Sequence, residues 1–464
     1  MPSAAKIFES RGHWSAIERR DRLVALALAL AATALWSCSQ PIVFTNDSFG
    51  YLSSAKFIAG QVSHGVPYYR MPLFPLWLVV TGVPTLDSFK WFLLAQAVLG
   101  ILMVMIFHNG LRGYSRTAAL IATAVLTLTF VPFVYSKSVM TEQLYLFGLI
   151  LCLASTLRYL QAANVFQLAL VAVGVTIVMF TRVQGIGIGL VVLPFLVYRH
   201  PQHWRAVSAA ACTVSIAVAA YSSVYSAQVR KHSAVRAETA SAAEPALSNS
   251  VGKYLFMVPY LDADRYFGWR IVEPDNGAAS AKLFALIDNK PPTLKQWWAI
   301  WQTLDREIGV AAADDLLMRA TIEAVIAHPW KAMVLYGYNL FAATYRINSS
   351  YVWQHPAVTI DNPRLDQEFK RSGDQSAVTW LAKIVNPLFH TALIATTIVV
   401  LLTAGAHGPA WTFCIALYAY NLLAIATSGA PEGRIVFYAL PLLLAALVTA
   451  RSKPWLPVPW AVFV

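Results

Sequence analysis

Apolar positions along this chain fall mainly in long, nearly uninterrupted runs. A run of about 20 apolar residues is long enough to cross the hydrocarbon core of a bilayer as a helix. The runs predict membrane-spanning helices at about 23–44, 89–107, 117–135, 142–160, 165–181, 184–198, 206–226, 378–403, 409–427 and 435–450. Ten spans would place both ends of the chain on the same side of the membrane.

Two further apolar segments do not fit this scheme directly. Segment 72–84 is short and rich in proline, so we expect it to lie at the outer membrane interface. Segment 330–347 is either an interfacial helix or an eleventh span.

Residues 227–377 break the apolar pattern, with 16 acidic and 16 basic residues at a density normal for a soluble domain. Its amphipathic stretch 293–327 carries Trp297, Trp298 and Trp301, which we assign to a domain core in preference to a glycan or lipid contact. The predicted organisation is a cytoplasmic tail 1–22, an N-terminal transmembrane domain 23–226 with its first outer loop at 45–88, an outer-face domain 227–377 and C-terminal transmembrane helices 378–464.

The composition is typical of a membrane protein and favours some classes of binding partner over others. The chain is 58% hydrophobic and only 12% charged, about half the charge of a soluble domain. Its net charge of +12 favours contact with anionic lipid head groups, and no nucleic-acid motif accompanies it. The four cysteines form no CxxC pair and the histidines no HExxH motif, so we expect no disulfide framework, no metal site and no cofactor.

The basic residues predict the orientation. Those that the ten-span scheme places on one side are Lys6, Arg11, Arg19, Arg20, Arg22, Arg112, Arg116, Arg158, Arg199, Arg205, Arg451 and Lys453. The positive-inside rule assigns that side to the cytoplasm. The first apolar run is then an uncleaved signal anchor, with a cleaved signal peptide as the alternative.

The same scheme gathers acids and bases at the outer face. The acids there are Asp47, Asp87, Glu142 and Glu432, and the bases are Lys56, Arg70, Lys90, Lys137, Arg182, Lys383 and Arg434. Charged side chains at the ends of membrane spans cost free energy unless they are solvated or take part in binding or catalysis. Arginine forks suit a phosphate leaving group, and an attacking hydroxyl or amine needs a nearby base. Asp47 together with arginines could therefore support transfer from an anionic lipid.

Five motifs carry a resemblance to a known family. They are Asp47-Ser48-x-x-Tyr51, Tyr69-Arg70-Met71-Pro72, Thr141-Glu142, Thr181-Arg182 before Gly185, and Glu432-Gly433-Arg434. In this order and spacing they resemble the lipid-carrier-dependent glycosyltransferases of the GT-C class, which include aminoarabinose transferases and protein O-mannosyltransferases. The resemblance covers most of 23–230 and 378–450.

The resemblance implies an all-α polytopic bundle of about ten to thirteen transmembrane helices with a mainly helical periplasmic domain. It also implies that a hexose or pentose moves, with inversion, from a polyprenyl-phosphate-sugar donor to a glycan, lipid or protein acceptor. The reaction would take place on the outer face of a bacterial cytoplasmic membrane. Where some relatives carry two adjacent acids, this chain has Asn46-Asp47, which argues against a doubly acidic metal site and leaves room for a bound cation.

The candidate site residues divide into three roles. Asp47 is the expected general base. The expected contacts to the donor phosphate are Arg70, Lys137, Arg182 and Arg434, and the expected contacts to substrate are Tyr51, Tyr69, Glu142 and Glu432.

Simpler interpretations stand beside these roles. Asp47 could cap a helix, Glu142 could be a first-turn acid, and Glu432 could pair with Arg434. At the level of the whole chain, the alternative function is a transporter or flippase of polyprenyl-linked sugars or polysaccharides, and a third is a non-catalytic subunit of an envelope-polymer complex. The sequence shows no repeated pair of broken helices of the kind transporters use.

Overall fold

The computed structural model describes residues 16–39, 42, 46–61, 71–83, 89–233, 251–288, 293–345, 375–403, 408–428 and 436–450. These residues form helices joined by turns and short loops, with no strand among them. The α-helices are α1 (Ala16–Ser39), α2 (Asn46–Ile58), α3 (Leu73–Val80), α4 (Lys90–Leu111), α5 (Arg116–Leu128), α6 (Glu142–Gln161), α7 (Val165–Thr181), α8 (Ile188–Arg199), α9 (Trp204–Ser233), α10 (Val251–Met257), α11 (Ala263–Phe267), α12 (Ala278–Ile287), α13 (Leu294–Ile308), α14 (Val310–Ala327), α15 (Pro329–Tyr345), α16 (Gln375–Leu402), α17 (Pro409–Ser428) and α18 (Ala439–Thr449).

Several of these helices are suited to a membrane. Within the described residues, α1, α4 and α6 are long and apolar enough to cross one, and α5, α7, α8, α12, α18 and the Pro387–Leu402 part of α16 are shorter apolar helices. Helix α6 is buried on nearly every side, whereas α1 exposes Leu23, Leu30 and Leu35. The chain is an all-α polytopic membrane protein, as its apolar runs predict.

The first helix starts earlier than the apolar run suggests. It begins at Ala16 instead of residue 23, so Asp21 lies inside α1 and is 6% exposed. Arg116, the first residue of α5, binds this carboxylate through both Nε and Nη2, with Nη2 2.9 Å from Oδ1. Arg116 therefore compensates the charge of Asp21, a residue that the sequence analysis places in the cytoplasmic tail.

The boundary expected at 227 also falls inside a helix, because α9 continues to Ser233. The division of the chain into four regions stays a prediction.

Helix α5 ends sooner than predicted because Phe130 adopts a left-handed backbone, with a φ of 58°. Glycine or asparagine usually takes this position after a helix. Here the Phe130 ring packs against Trp36 of α1 with 5.3 Å between ring centroids, and this contact holds the turn. A buried, non-helical segment, 131–140, then leads into α6.

The region after α9 has a core of its own. Trp297, Trp301 and Leu304 line one face of α13 and are 0%, 6% and 0% exposed, in agreement with a core role for the first two. This core connects to the bundle through α15, where Asn339 Nδ2 donates a hydrogen bond of 3.4 Å to the carbonyl oxygen of Ala426 in α17. Helix α15 is therefore packed along α17.

Candidate active site at one end of the bundle

The centre of the candidate site is a buried ion pair between two neighbouring helices. Glu142 is the first residue of α6, and Arg182 directly follows α7. Arg182 Nη1 lies 2.5 Å from Glu142 Oε1, and the two side chains are 17% and 0% exposed. Helices α6 and α7 form an antiparallel hairpin, so the start of one meets the end of the other.

Glycine allows this hairpin to close tightly. A Cβ placed on Gly174 of α7 would stand 2.7 Å from the backbone nitrogen of Cys152 in α6, and one on Gly148 would stand 2.6 Å from Ile177. Small residues at such positions let helix backbones approach closely in membranes. The close approach fixes the distance between Glu142 and Arg182.

Hydrogen bonds surround the ion pair. Arg182 Nη1 also donates to Thr141 Oγ1 at 3.2 Å, and Arg182 Nε donates to Gln184 Oε1 at 3.3 Å. The Thr141 hydroxyl in turn donates to Glu142 Oε2 at 3.4 Å. A buried ion pair is stable only when such bonds satisfy its remaining donors and acceptors. The guanidinium of Arg182 is thus held in one orientation.

Side chains from the C-terminal part of the chain contact α6 and the Gln184 backbone beside this network. The Tyr420 hydroxyl of α17 donates to the Gln184 carbonyl oxygen at 2.5 Å, and the Tyr145 hydroxyl of α6 donates to Asn421 Oδ1 at 3.0 Å. Tyr145 also packs on Tyr438, with 4.7 Å between ring centroids. Tyr145, Tyr420 and Asn421 are not among the site residues predicted from the sequence, although Asn421 is a polar residue inside an otherwise apolar run.

Lys137 lies in the buried 131–140 segment at this end of the bundle. Its Nζ donates a hydrogen bond of 2.5 Å to the carbonyl oxygen of Ser37, in the last turn of α1. Burial lowers the pKa of the Lys137 ammonium. The contact ties the segment before α6 to the end of α1.

Helix α2, which carries Asp47, packs at the same end. Tyr51 is 7% exposed, and its ring lies 5.1 Å from Phe74 of α3. Tyr51 belongs to the same buried cluster as Val139 and Leu144, which flank Glu142 in sequence. Asp47 is the second residue of α2, where the helix dipole favours a negative charge.

The remaining candidates cannot be placed. The Asp47 side chain and all of Tyr69, Arg70, Glu432 and Arg434 lie outside the described residues, so their roles stay predictions. The structure brings together Glu142 and Arg182, with Lys137 and Tyr51 at the same end. Within the part of the chain that the structure describes, no three His, Cys, Asp or Glu side chains are grouped to hold a metal ion.

Comparison with known proteins covers families, curated proteins and solved structures. No protein-family model matches this chain, and no curated protein matches it. Among solved structures, the crystal structure of ArnT from Cupriavidus metallidurans bound to undecaprenyl phosphate is similar over 92% of this chain and 77% of that chain, with 14% sequence identity and a TM-score of 0.35.

Proposed function

We propose that the chain is a membrane glycosyltransferase that moves a sugar from a polyprenyl-phosphate donor to an acceptor on the outer face of the membrane. The observation that carries this proposal is the buried Glu142–Arg182 pair, at the same end of the bundle as the helix that bears Asp47. An oriented guanidinium near a carboxylate base is the combination that transfer from a lipid phosphate needs.

In this proposal Asp47 is the general base. It accepts the proton of the acceptor hydroxyl or amine while that group attacks the anomeric carbon of the donor. The bond from the anomeric carbon to the phosphate oxygen breaks with inversion, and its electron pair leaves on the polyprenyl phosphate. Tyr51, Tyr69 and Glu432 would contact the substrate.

Positive charge would stabilise the leaving phosphate. Arg182 supplies a guanidinium whose orientation is already fixed, and Arg70, Arg434 and Lys137 are the further cations assigned to the phosphate. Preorganised charge of this kind contributes strongly to catalysis because it need not reorganise as the transition state forms.

Glu142 is better described as a positioning residue than as a direct substrate contact. Its side chain has no exposed surface, and one carboxylate oxygen binds Arg182 Nη1 while the other accepts from the Thr141 hydroxyl. We therefore assign Glu142 the task of orienting Arg182 toward the phosphate.

The placement of ion pairs disfavours the transporter alternative. Within the described membrane helices, Asp21–Arg116 and Glu18–Arg112 lie at one end of the bundle and Glu142–Arg182 at the other. A carrier of a charged headgroup needs polar groups along a route through the membrane. Pairs confined to the ends fit a reaction at one face.

The test is transfer of labelled sugar by the purified protein. A panel of polyprenyl-phosphate sugars is incubated with the protein and membrane extract, and Asp47→Asn should lower the rate by about 10²- to 10⁴-fold. Lys56→Gln is the matched control, because Lys56 is an exposed residue on the same helix. Full transfer by Asp47→Asn would refute the general-base role. Movement of intact donor across vesicle membranes without transfer would support the transporter.

A further inference from the structure

Two consecutive helices in the region after α9 expose large apolar side chains. Helix α14 ends at Ala327 and α15 begins at Pro329, so a single residue separates them. Five large apolar side chains on these helices are between 52% and 73% exposed, and we call them the apolar stripe: Ile322, Ile326, Trp330, Met333 and Phe341. Scattered exposed apolar residues are normal on a protein surface, whereas a series of them along adjoining helices marks an interaction surface.

Helix α15 is apolar on two sides. Met333 and Phe341 lie four residues before and after Gly337, which is itself exposed, and a Cβ at Gly337 would meet nothing within 4 Å. On the other side of the helix, Ala332 and Leu335 are buried. A helix that is apolar all round is typical of a protein core or of a membrane. The exposed side of α15 therefore calls for an apolar environment.

The exposed face of α14 changes from charged to apolar within one turn. Asp315 and Arg319 form an exposed ion pair, with 3.0 Å between their atoms. Ile322 and Ile326 follow them on the same face at helical spacing. The charged pair is suited to water, whereas the isoleucines gain free energy when they are removed from it. This change indicates that the boundary between water and an apolar medium crosses α14 between Arg319 and Ile322.

Contacts with the bundle identify that apolar medium. Helix α17 belongs to the apolar run that the sequence predicts to span the membrane at 409–427. Leu340 of α15 packs against Leu422 of α17. The next residue of α17, Leu423, is 58% exposed. Because a membrane-spanning helix exposes such residues to lipid, α15 lies beside a lipid-facing surface of the bundle.

Aromatic and basic side chains accompany the apolar stripe. Tyr338 of α15 packs on Tyr266 and Phe267, with 5.0 and 5.4 Å between ring centroids, and the three rings are half-buried. Arg265 and Arg270, on either side of these rings in the sequence, are exposed. Tyrosine and arginine are suited to the interface between hydrocarbon and headgroups, because each combines an apolar stem or ring with a polar end. This border favours a lipid surface over an apolar protein partner.

We propose that the apolar stripe lies in the lipid bilayer and docks residues 251–345 onto the membrane. Of the two alternatives that the sequence leaves for 330–347, α15 is then the interfacial helix. Its 17 residues extend about 26 Å, less than the roughly 30 Å of hydrocarbon in a bilayer. Leu335, near the middle of α15, packs in the core of the region after α9, so the helix does not leave that region to cross the membrane.

Spin labelling of the full-length protein in vesicles of phosphatidylethanolamine and phosphatidylglycerol tests the proposal. Single cysteines are placed in a background that lacks the four native ones. Electron paramagnetic resonance then measures collisions of each label with oxygen, which enters hydrocarbon, and with a nickel chelate, which stays in water. Labels at Ile326→Cys and Met333→Cys should collide with oxygen in preference to the chelate.

Two reference positions calibrate the measurement. Leu102 is an exposed residue in α4, a helix long and apolar enough to cross a membrane, and Arg319 is exposed on the charged part of α14. The ratio of oxygen to chelate collisions at Ile326→Cys and Met333→Cys should equal that at Leu102→Cys and exceed that at Arg319→Cys several-fold. If either labelled variant cannot be purified, Phe341→Cys is measured in the same way.

Three results would overturn the proposal. A collision ratio equal to that at Arg319→Cys would place the apolar stripe in water. Protection from both reagents, with dipolar broadening between labels, would show that a second copy of the chain covers the stripe. Protection from both without broadening would assign the stripe to another occupant, such as a glycan. No step depends on sugar transfer, so the result is independent of the proposed function.

Discussion

At the scale of single residues, the Glu142–Arg182 pair makes the sharpest prediction about stability. Arg182→Ala leaves a fully buried carboxylate without its guanidinium, and breaking a buried pair in this way typically costs about 3–5 kcal/mol. Glu142→Gln/Arg182→Gln removes both charges and should recover most of that loss. Thermal unfolding in detergent measures both variants.

The exposed Asp315–Arg319 pair provides the control for this series. Its atoms lie 3.0 Å apart, and its side chains are 50% and 68% exposed. Arg319→Ala should change stability by less than about 1 kcal/mol. Equal losses of stability in Arg182→Ala and Arg319→Ala would show that the Glu142–Arg182 pair stabilises the fold no more than an exposed pair does.

Glu323 predicts a pH dependence confined to one helix. Its carboxylate accepts hydrogen bonds from the backbone nitrogens of Ala279 and Ser280, at 3.0 and 2.8 Å, in the first turn of α12. Burial acts to raise the pKa of Glu323, but these bonds and the Ser280 hydroxyl outweigh it, so the pKa is lowered. The stabilisation is therefore complete above the ordinary glutamate pKa of about 4.3 and is lost as pH falls through the lower folded value.

Hydrogen exchange of the α12 amides measures this effect. Their protection should decrease as the pH is lowered through that window, after correction for intrinsic exchange rates. In Glu323→Gln, protection should be weaker at neutral pH by about 1–2 kcal/mol and independent of pH in the same range. A pH dependence that persists in Glu323→Gln would assign the effect to another group.

At the scale of elements, the contact of α6 with α7 sets the geometry of the candidate site. Gly174→Ala places a methyl group 2.7–2.9 Å from backbone atoms of Cys152, which no side-chain rotation can relieve. The helices must separate, and we expect a loss of about 1–3 kcal/mol together with reduced sugar transfer. Thermal unfolding and the transfer assay measure the two effects.

A second glycine supplies the comparison. Gly189 lies in α8, and a Cβ there would meet nothing within 4 Å. Gly189→Ala should therefore leave both stability and transfer close to wild type. If Gly174→Ala also leaves stability and transfer unchanged, the close packing of α6 against α7 does not determine the position of Arg182.

The helical elements could be predicted from the sequence, whereas several of their ends could not. Apolar runs predict where α4, α6 and α7 lie because a membrane helix must be apolar along its length. The early start of α1 depends on Asp21 meeting Arg116, and the early end of α5 on Phe130 meeting Trp36. Both are tertiary contacts between distant positions in the chain, which local hydropathy does not encode.

The candidate site could likewise be predicted only in part, because it too depends on tertiary contacts. Their position next to apolar runs predicts Glu142 and Arg182 as site residues, and the number of spans predicts that they lie at one end of the bundle. Their direct pairing depends on the α6–α7 contact, and the support from Tyr420 and Asn421 depends on the packing of α17. Such polar residues inside apolar runs are visible in the sequence, but their partners are not.

At the scale of the whole molecule, the alternation of the membrane helices predicts which surfaces face the same side. The Glu18–Arg112 pair and the Glu142–Arg182 pair lie at opposite ends of the bundle, and the bases at the first end fit a cytoplasmic position. Residues 251–345 should then lie on the same side of the membrane as α2. This orientation is testable without knowing the substrate.

Single-cysteine labelling in sealed, right-side-out vesicles tests it, in a background lacking the four native cysteines. Lys56→Cys and Asp315→Cys replace exposed residues of α2 and α14 and should react with a membrane-impermeant maleimide. Arg20→Cys and Arg205→Cys replace exposed residues near the other end and should react only after the vesicles are opened. Reaction of Lys56→Cys and Arg20→Cys from one side would place α2 on the cytoplasmic face. Asp47 could then not meet a donor in the outer leaflet, and the proposed reaction would have to be abandoned.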